Sequence, residues 1–314
     1  MTLHLAHHGA VPGPRWMGID VGGTNTKAVL LALQDGRPEV VRSEESATRG
    51  DNPLEVLAQV AQIAAGLRAA YPHVNGVGVS LPGSVNRLAG TTGVVPNLPG
   101  SWSGTRARDV LRELIGLPVE VVNDARAFTL AEARHGAGRG HRVIVGVTLG
   151  TGLGNGLVVD GDLLENGSGM SGGDIGHQVI QVDGDPCSCG GRGCVETRAS
   201  TGTLLRGAGV PTVREAFAAA SAGNPTAVAA VEAYIAHLAT ALANLHTLVC
   251  PDVYVIGGGI AAAGEQLLVP LQQAVRSRVR FDDPQRVRLV AAELGPFAGA
   301  IGVATLVAST AGGL

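Results

Sequence analysis

Asp20-Val21-Gly22-Gly23-Thr24-Asn25-Thr26-Lys27 sets a carboxylate at the end of an apolar run, followed by two glycines and then hydroxyl side chains. Glycines let backbone amides approach an anion, and the carboxylate and hydroxyls suit a bound phosphate with Mg²⁺. A plain glycine hairpin is the competing reading of this segment alone. A second loop, Leu149-Gly150-Thr151-Gly152-Leu153-Gly154, offers the same permissive backbone around Thr151, and the pairing of the two favours a phosphate clamp. Gly257-Gly258-Gly259-Ile260-Ala261 lies between an apolar strand and a helix, where close backbone contact could receive an adenosine or ribose; a ligand-free turn is the alternative. None of these segments has the spacing G-x-x-x-x-G-K-[ST] or G-x-G-x-x-G, so the P-loop and Rossmann fingerprints are absent.

Val121-Val122-Asn123-Asp124 ends a strand with a polar pair, the place where α/β proteins build active sites. Asp124 is the candidate general base, a carboxylate able to take the proton of a hydroxyl attacking a γ-phosphate. It also fits a helix cap for the segment from Ala125, and the two roles are compatible. His177, Cys187, Cys189 and Cys194 supply one imidazole and three thiols, a closed tetrahedral set suited to structural Zn²⁺, with disulfide pairing as the competing reading. Four protein donors leave no open position for water, so such a metal folds its loop and takes no part in the reaction. Cys250 closes a helical pattern and is expected to be a buried, inert thiol.

Elements of both periods must position these groups. Trp16 to Leu33 reads as a β-hairpin around the first glycine loop, and Val143 to Thr148 with Gly156 to Val159 as a hairpin around the second. Between them, helices are expected over Pro53–Tyr71, Thr105–Ile115 and Ala125–His135, with strands at Asn75–Leu81 and Pro118–Val122. After the second hairpin, apolar residues from Val231 to Val249 trace one helix face. Strands at Val253–Ile256 and Val287–Ala291 and an apolar helix over Ala298–Ala308 follow. The repeated grammar predicts two related α/β lobes: a smaller one over residues 1–123, with the C-terminal helix of residues 298–314 packing back on it, and a larger one over residues 124–297.

Composition narrows the partners. Of the 314 residues 45% are apolar and 16% charged, the 47 glycines are scattered, and the net charge is −3. That is an ordinary globular balance without the positive field that nucleic acid requires. No uninterrupted apolar run approaches the ~20 residues of a membrane span. The start, with His4, His7 and His8, has no cationic segment followed by a long apolar one, so a cytoplasmic location is expected.

Together these residues resemble the ROK family (repressor, open reading frame, kinase) from Met17 to about Ala308. The most specific stretch is Gly176-His177 with Cys187-Ser188-Cys189-Gly190-Gly191-Arg192-Gly193-Cys194-Val195-Glu196. The resemblance implies the two-lobed, actin-like (ribonuclease H-like) ATPase fold with a zinc loop. It implies ATP-dependent, Mg²⁺-assisted phosphorylation of a hexose at its 6-hydroxyl, with glucose first and fructose, mannose or an N-acetylhexosamine as alternatives. Polyphosphate is a donor that some relatives use. By the same resemblance the phosphate contacts fall on Asp20, Gly22, Gly23, Thr24, Thr26, Lys27, Gly150, Thr151 and Gly152, with Gly258 and Gly259 toward the nucleotide. The sugar contacts fall on Asn97, Asn123, Asp124, Asp174, His177 and Glu196. Family members usually carry Glu-x-Gly-His, whereas Asp174-Ile175-Gly176-His177 has the shorter acid, which bears on sugar identity. Family repressors add a DNA-binding region before the first loop; the residues before Trp16 are too few for one, so no nucleic-acid partner is expected. A non-catalytic sugar sensor is the remaining alternative, against which the retained Asp20 and Asp124 stand. Homodimers or homotetramers are common in the family.

Overall fold

The structure, a computed structural model, describes residues 13–34, 37–165, 167, 169 and 174–310. The histidine-bearing start and residues 311–314, expected to extend the last helix, lie outside the described residues. The chain forms two compact units, residues 1–136, 161–172 and 293–314 in the first and residues 137–160 and 173–292 in the second. In chain order the elements run Arg15–Val21 (β1), Asn25–Gln34 (β2), Arg37–Ala47 (β3), Pro53–Ala70 (α1), Val74–Leu81 (β4), Val85–Asn86 (β5), Thr91–Thr92 (β6), Ala107–Ile115 (α2), Val119–Asn123 (β7) and Asp124–His135 (α3). They continue with Val143–Leu149 (β8), Leu153–Val159 (β9), Asp162–Leu163 (β10), Thr201–Ala208 (α4), Val213–Ser221 (α5), Pro225–Val249 (α6), Val253–Gly257 (β11), Glu265–Arg276 (α7), Leu289–Ala291 (β12) and Ala298–Thr310 (α8).

The first unit is built on a sheet of order β3-β2-β1-β4-β7. β1, β2 and β3 meander antiparallel, while β4 and β7 run parallel to β1. β3 is an addition to the expected elements. Its Glu39, Arg42, Glu44 and Glu45 leave no apolar run to read, and such charge is what an edge strand needs to discourage pairing with another chain. α1 begins with the cap the sequence provides: the Asn52 side chain accepts the Glu55 amide at 3.2 Å, Glu55 reaches back to Asp51 N–H at 2.8 Å, and Pro53 occupies the first turn. Its buried face is Val56, Leu57, Val60, Ala64 and Leu67.

α8 joins this unit, every residue from Ala298 to Ala308 being buried. Gly18 on β1 and Gly78 on β4 permit the close approach, since a Cβ at either would collide with the α8 carbonyls of Ala300 and Val303. α3 also belongs here, so the unit runs to Gly136 and not to residue 123 as the chain order suggests. The physical reason is packing: α3 lies against α8, and the buried Glu132 carboxylate accepts the amides of Glu293 and Leu294 at 2.9 to 3.1 Å.

The second unit repeats the arrangement. An antiparallel hairpin of β8 and β9 is continued by β11 and β12, both parallel to β8's direction. β12 is shorter than expected because Val287 closes the helical turn of Pro284–Arg286. α6 is long and apolar enough to cross a bilayer by length and composition, and 50% of that stretch is buried in the unit, among a core that includes Leu238, Leu242, Tyr254 and Ile256. Cys250 departs from expectation. It caps α6 in the left-handed conformation, φ 46°, and is exposed, because the chain reverses there into β11 instead of carrying the thiol into the core.

Candidate active site and metal centre

In the first unit the β1–β2 turn is closed by the Gly22 amide donating to the Asn25 carbonyl at 3.0 Å. Thr48, just past β3, braces it: its hydroxyl donates to the Gly22 carbonyl at 2.7 Å and its amide to the Thr24 carbonyl at 2.8 Å. Gly23 and Thr24 are exposed, as an anion-binding loop requires. Thr26, in contrast, is buried and its hydroxyl pairs with that of Thr48 at 2.9 Å, which makes it a brace of the loop. Asn97 sits in a left-handed turn, φ 69°, directly against Gly23, where an added Cβ would stand 2.7 Å from the Asn97 carbonyl oxygen.

Asp20 lies opposite Lys27 across the hairpin and opposite Ser80 on β4. Ser80 donates to its carboxylate at 2.6 Å. Burial nevertheless pushes the Asp20 carboxyl above the ordinary range, outweighing the Ser80 hydrogen bond and the Lys27 charge. Gly299, in the first turn of α8, leaves room for that carboxylate, since a Cβ there would stand 2.7 Å from Asp20 Oδ2. Asn123 and Asp124 meet where β7 passes into α3. Asn123 accepts the Arg126 amide and donates to the Gly83 carbonyl and to Asp124 Oδ1, both at 2.9 Å. The Ala125 amide also donates to Asp124 Oδ1, at 2.8 Å, but the residue that caps α3 is Asn123, through the Arg126 amide, and Asp124 stands in the first turn. Burial, and after it the negative charge of Asp20, push the Asp124 carboxyl up to about 7, against the pull of Ala125 and Asn123. A base with that value is poised to gain and lose a proton near neutrality.

In the second unit Thr151 is exposed at the tip of the β8–β9 turn, and the Gly150 amide donates to the Gly152 carbonyl at 3.0 Å. Thr201, at the start of α4, donates to the Gly150 carbonyl through both its amide and its hydroxyl. Glu196 Oε2 accepts the Leu153 amide at 2.9 Å and lies against Gly152, while Oε1 accepts from Ser188 at 3.5 Å. Glu196 thus bridges the glycine hairpin and the cysteine loop. Gly258 has φ 86°, and a Cβ on it would collide with the Leu149 backbone; Gly259 beside it has open space.

The cysteine loop brings His177, Cys187, Cys189 and Cys194 together, with one donor atom from each within 4.8 Å of all the others. His177 Nδ1 is 3.6 Å from Cys187 Sγ, and its Nε2 faces Asp174 Oδ2 at 3.9 Å. One ring nitrogen therefore serves the thiol cluster and the other the acid. The set fits a structural Zn²⁺ on its donor chemistry. Burial and the neighbouring Cys187 and Cys189 push the Cys194 thiol up to about 12, whereas the Gly191 amide draws Cys189 below its ordinary value. A divalent cation is what holds such a crowd as thiolates.

Sequence reasoning missed Ser80, Thr48 and Asn155. Asn155 Oδ1 accepts the Ile175 amide at 2.9 Å and so fixes the turn that carries Asp174 and His177. Ser80 and Asn155 share one signal: each is a lone polar side chain buried within an otherwise apolar strand.

The family model described as ROK family matches residues 16–310. The chain is 34% identical to the glucokinase of Thermotoga maritima over 96% of its own length and 100% of that protein. Among solved structures, the ROK hexokinase from Thermus thermophilus aligns with a TM-score of 0.81 at 30% identity, covering 94% of this chain and 99% of that one. A ROK family glucokinase from Streptomyces griseus, in complex with glucose and AMPPNP, aligns with a TM-score of 0.78 at 29% identity, covering 93% and 98%.

Proposed function

The chain belongs to the ROK family, and from that premise we propose that it is an ATP-dependent hexose kinase acting on the 6-hydroxyl of glucose. The observation that carries the reading is the half-buried Asp20 and Asp124 pair, with the Asp124 carboxyl held at about 7. Glucose as the sugar and ATP as the donor are supported by the relatives' own descriptions.

In the proposed reaction Asp124 takes the proton of the sugar hydroxyl as that oxygen attacks the γ-phosphorus. The bond to the β-phosphate oxygen breaks, and glucose 6-phosphate and ADP leave. The Asn123 and Ala125 contacts hold Asp124 Oδ1, which leaves Oδ2 for the hydroxyl. Asp20 would hold Mg²⁺, which offsets charge on the phosphates; a desolvated carboxylate with one side-chain donor is a group that a cation restores to its ionised form. The amides of Gly22, Gly23 and Thr24, and those of Gly150, Thr151 and Gly152, are the proposed phosphate contacts, Lys27 adds positive charge, and Gly258 and Gly259 let the nucleotide approach. Sugar hydroxyls are the proposed partners of Asn97, Asn123 and Asp124 in the first unit and of Asp174, His177 and Glu196 in the second. Each such group left unpaired costs about 1 to 3 kcal/mol, which is the source of selectivity. Zn²⁺ held by His177, Cys187, Cys189 and Cys194 would order the loop beneath Asp174 and Glu196.

The test is ADP formation with Mg²⁺-ATP across glucose, mannose, fructose and N-acetylglucosamine, with polyphosphate as a parallel donor. Glucose is expected to give the largest kcat/KM. Turnover of none of these sugars would remove the kinase reading.

A further inference from the structure

A second cluster of metal-type donors lies in the second unit, at the C-terminal end of α6. One donor atom from each of His246, Cys250 and Asp282 falls within 4.8 Å of the others. His246 is 1% exposed, and its Nε2 stands 3.2 Å from Asp282 Oδ2. Its Nδ1 is buried with no hydrogen-bond partner among the described residues. Cys250 is exposed, one turn beyond His246, and its amide closes the helix onto the His246 carbonyl at 2.9 Å. Asp282 is also approached by Arg286, 3.5 Å from its other oxygen.

A simple His246–Asp282 hydrogen bond is the plainest account of this cluster, and it leaves the thiol of Cys250 beside the pair unexplained. Because nothing fixes Nδ1, the ring is free to carry its proton there and present the Nε2 lone pair on the Asp282 side. The cysteine also occupies the left-handed cap where glycine or asparagine is the usual choice. Imidazole, thiol and carboxylate together form a mixed N, S, O set of borderline softness, which suits Zn²⁺ better than Mg²⁺ or Ca²⁺. The last carbonyls of α6 place the negative end of the helix dipole nearby.

We propose that His246, Cys250 and Asp282 form a second Zn²⁺-class site, separate from the cysteine loop and open to water at its fourth position. A metal there would clip the α6–β11 corner to the segment before Pro284–Arg286. Three donors with an exposed thiol make a labile site, in contrast with the closed set of His177 and its three cysteines.

The full-length protein would be dialysed to equilibrium against buffered Zn²⁺ and its metal content measured beside Cys250→Gly and Cys194→Ser. Glycine suits the left-handed backbone, so Cys250→Gly removes the thiol without straining the cap. Wild type is expected to carry one equivalent more than Cys250→Gly, and Cys194→Ser to keep the equivalent that Cys250→Gly lacks. Equal metal in wild type and Cys250→Gly overturns the site. As a second readout, Zn²⁺ should slow alkylation of Cys250 by about tenfold or more, as a metal-held thiolate loses its nucleophilicity. Protection that persists undiminished in Asp282→Asn would mean a contact through the thiol alone and equally overturn the three-donor site.

Discussion

Replacing Asp124 with asparagine should abolish turnover and at the same time stabilise the protein, increasingly so as the pH rises. The carboxyl stands at about 7 in the folded chain against an ordinary 3.8, because burial and the charge of Asp20 oppose its ionisation. The folded state therefore holds a proton between those two values that the unfolded chain has already released. Its contribution to stability is complete below 3.8 and is lost as the pH rises to about 7. At ~1.36 kcal/mol per pKa unit the full loss is about 4 kcal/mol, of which about 2.5 kcal/mol falls between pH ~5 and pH ~8. The carboxamide of Asp124→Asn would keep an oxygen to accept the Ala125 amide and carry no charge, so the variant escapes that loss. Denaturant unfolding of both proteins at the two pH values gives the answer as a difference of differences, in which other titrating groups largely cancel. A gap between variant and wild type that stays constant with pH would refute the buried-charge argument. A near-normal kcat in Asp124→Asn would remove Asp124 from the base role. In wild type, kcat/KM should fall as the pH drops below about 7, since the base must be unprotonated to accept the hydroxyl proton.

Two further outcomes are expected. Gly258→Ala forces a side chain into a left-handed position and against the Leu149 backbone, so it should cost more than about 1 kcal/mol and weaken ATP binding, read by thermal unfolding with and without nucleotide. Cys194→Ser, or chelation of the wild type, should raise the KM for sugar more than it lowers kcat. Its route is through Ser188 and Glu196 to the Leu153 amide, and steady-state kinetics that leave both constants unchanged would disconnect the cysteine loop from the site.

Much of this architecture is legible in the sequence because its signals are local. The two glycine hairpins, the helical spacing over Pro53–Tyr71 and the spacing of Cys187, Cys189 and Cys194 are each confined to a short stretch, and each implies geometry without reference to the rest of the chain. What escapes reading is set by distant partners. β3 carries the charges of a solvent-facing edge and so has no apolar period. Thr26 looks like a phosphate donor until Thr48, from the far end of β3, claims its hydroxyl. Asp124 can be placed at the end of its strand, but its proton affinity depends on Asp20, which reaches it only through the β1-β4-β7 order. Cys250 escapes because an apolar helical pattern says nothing of how the helix ends, and a left-handed cap turns the thiol outward.

The packing of α8 has a consequence for how the protein is made. Residues 298–310 fill the first unit's core against β1, β4 and α3, yet in the chain they follow the whole of the second unit. Strands synthesised first must wait, with the glycine-lined groove around Gly18 and Gly78 uncovered, while the second unit, contiguous but for one excursion, can close ahead of them. Vectorial synthesis normally favours the N-terminal domain; here the order of completion is reversed, and the environment of Asp20 is finished only when Gly299 arrives beside it.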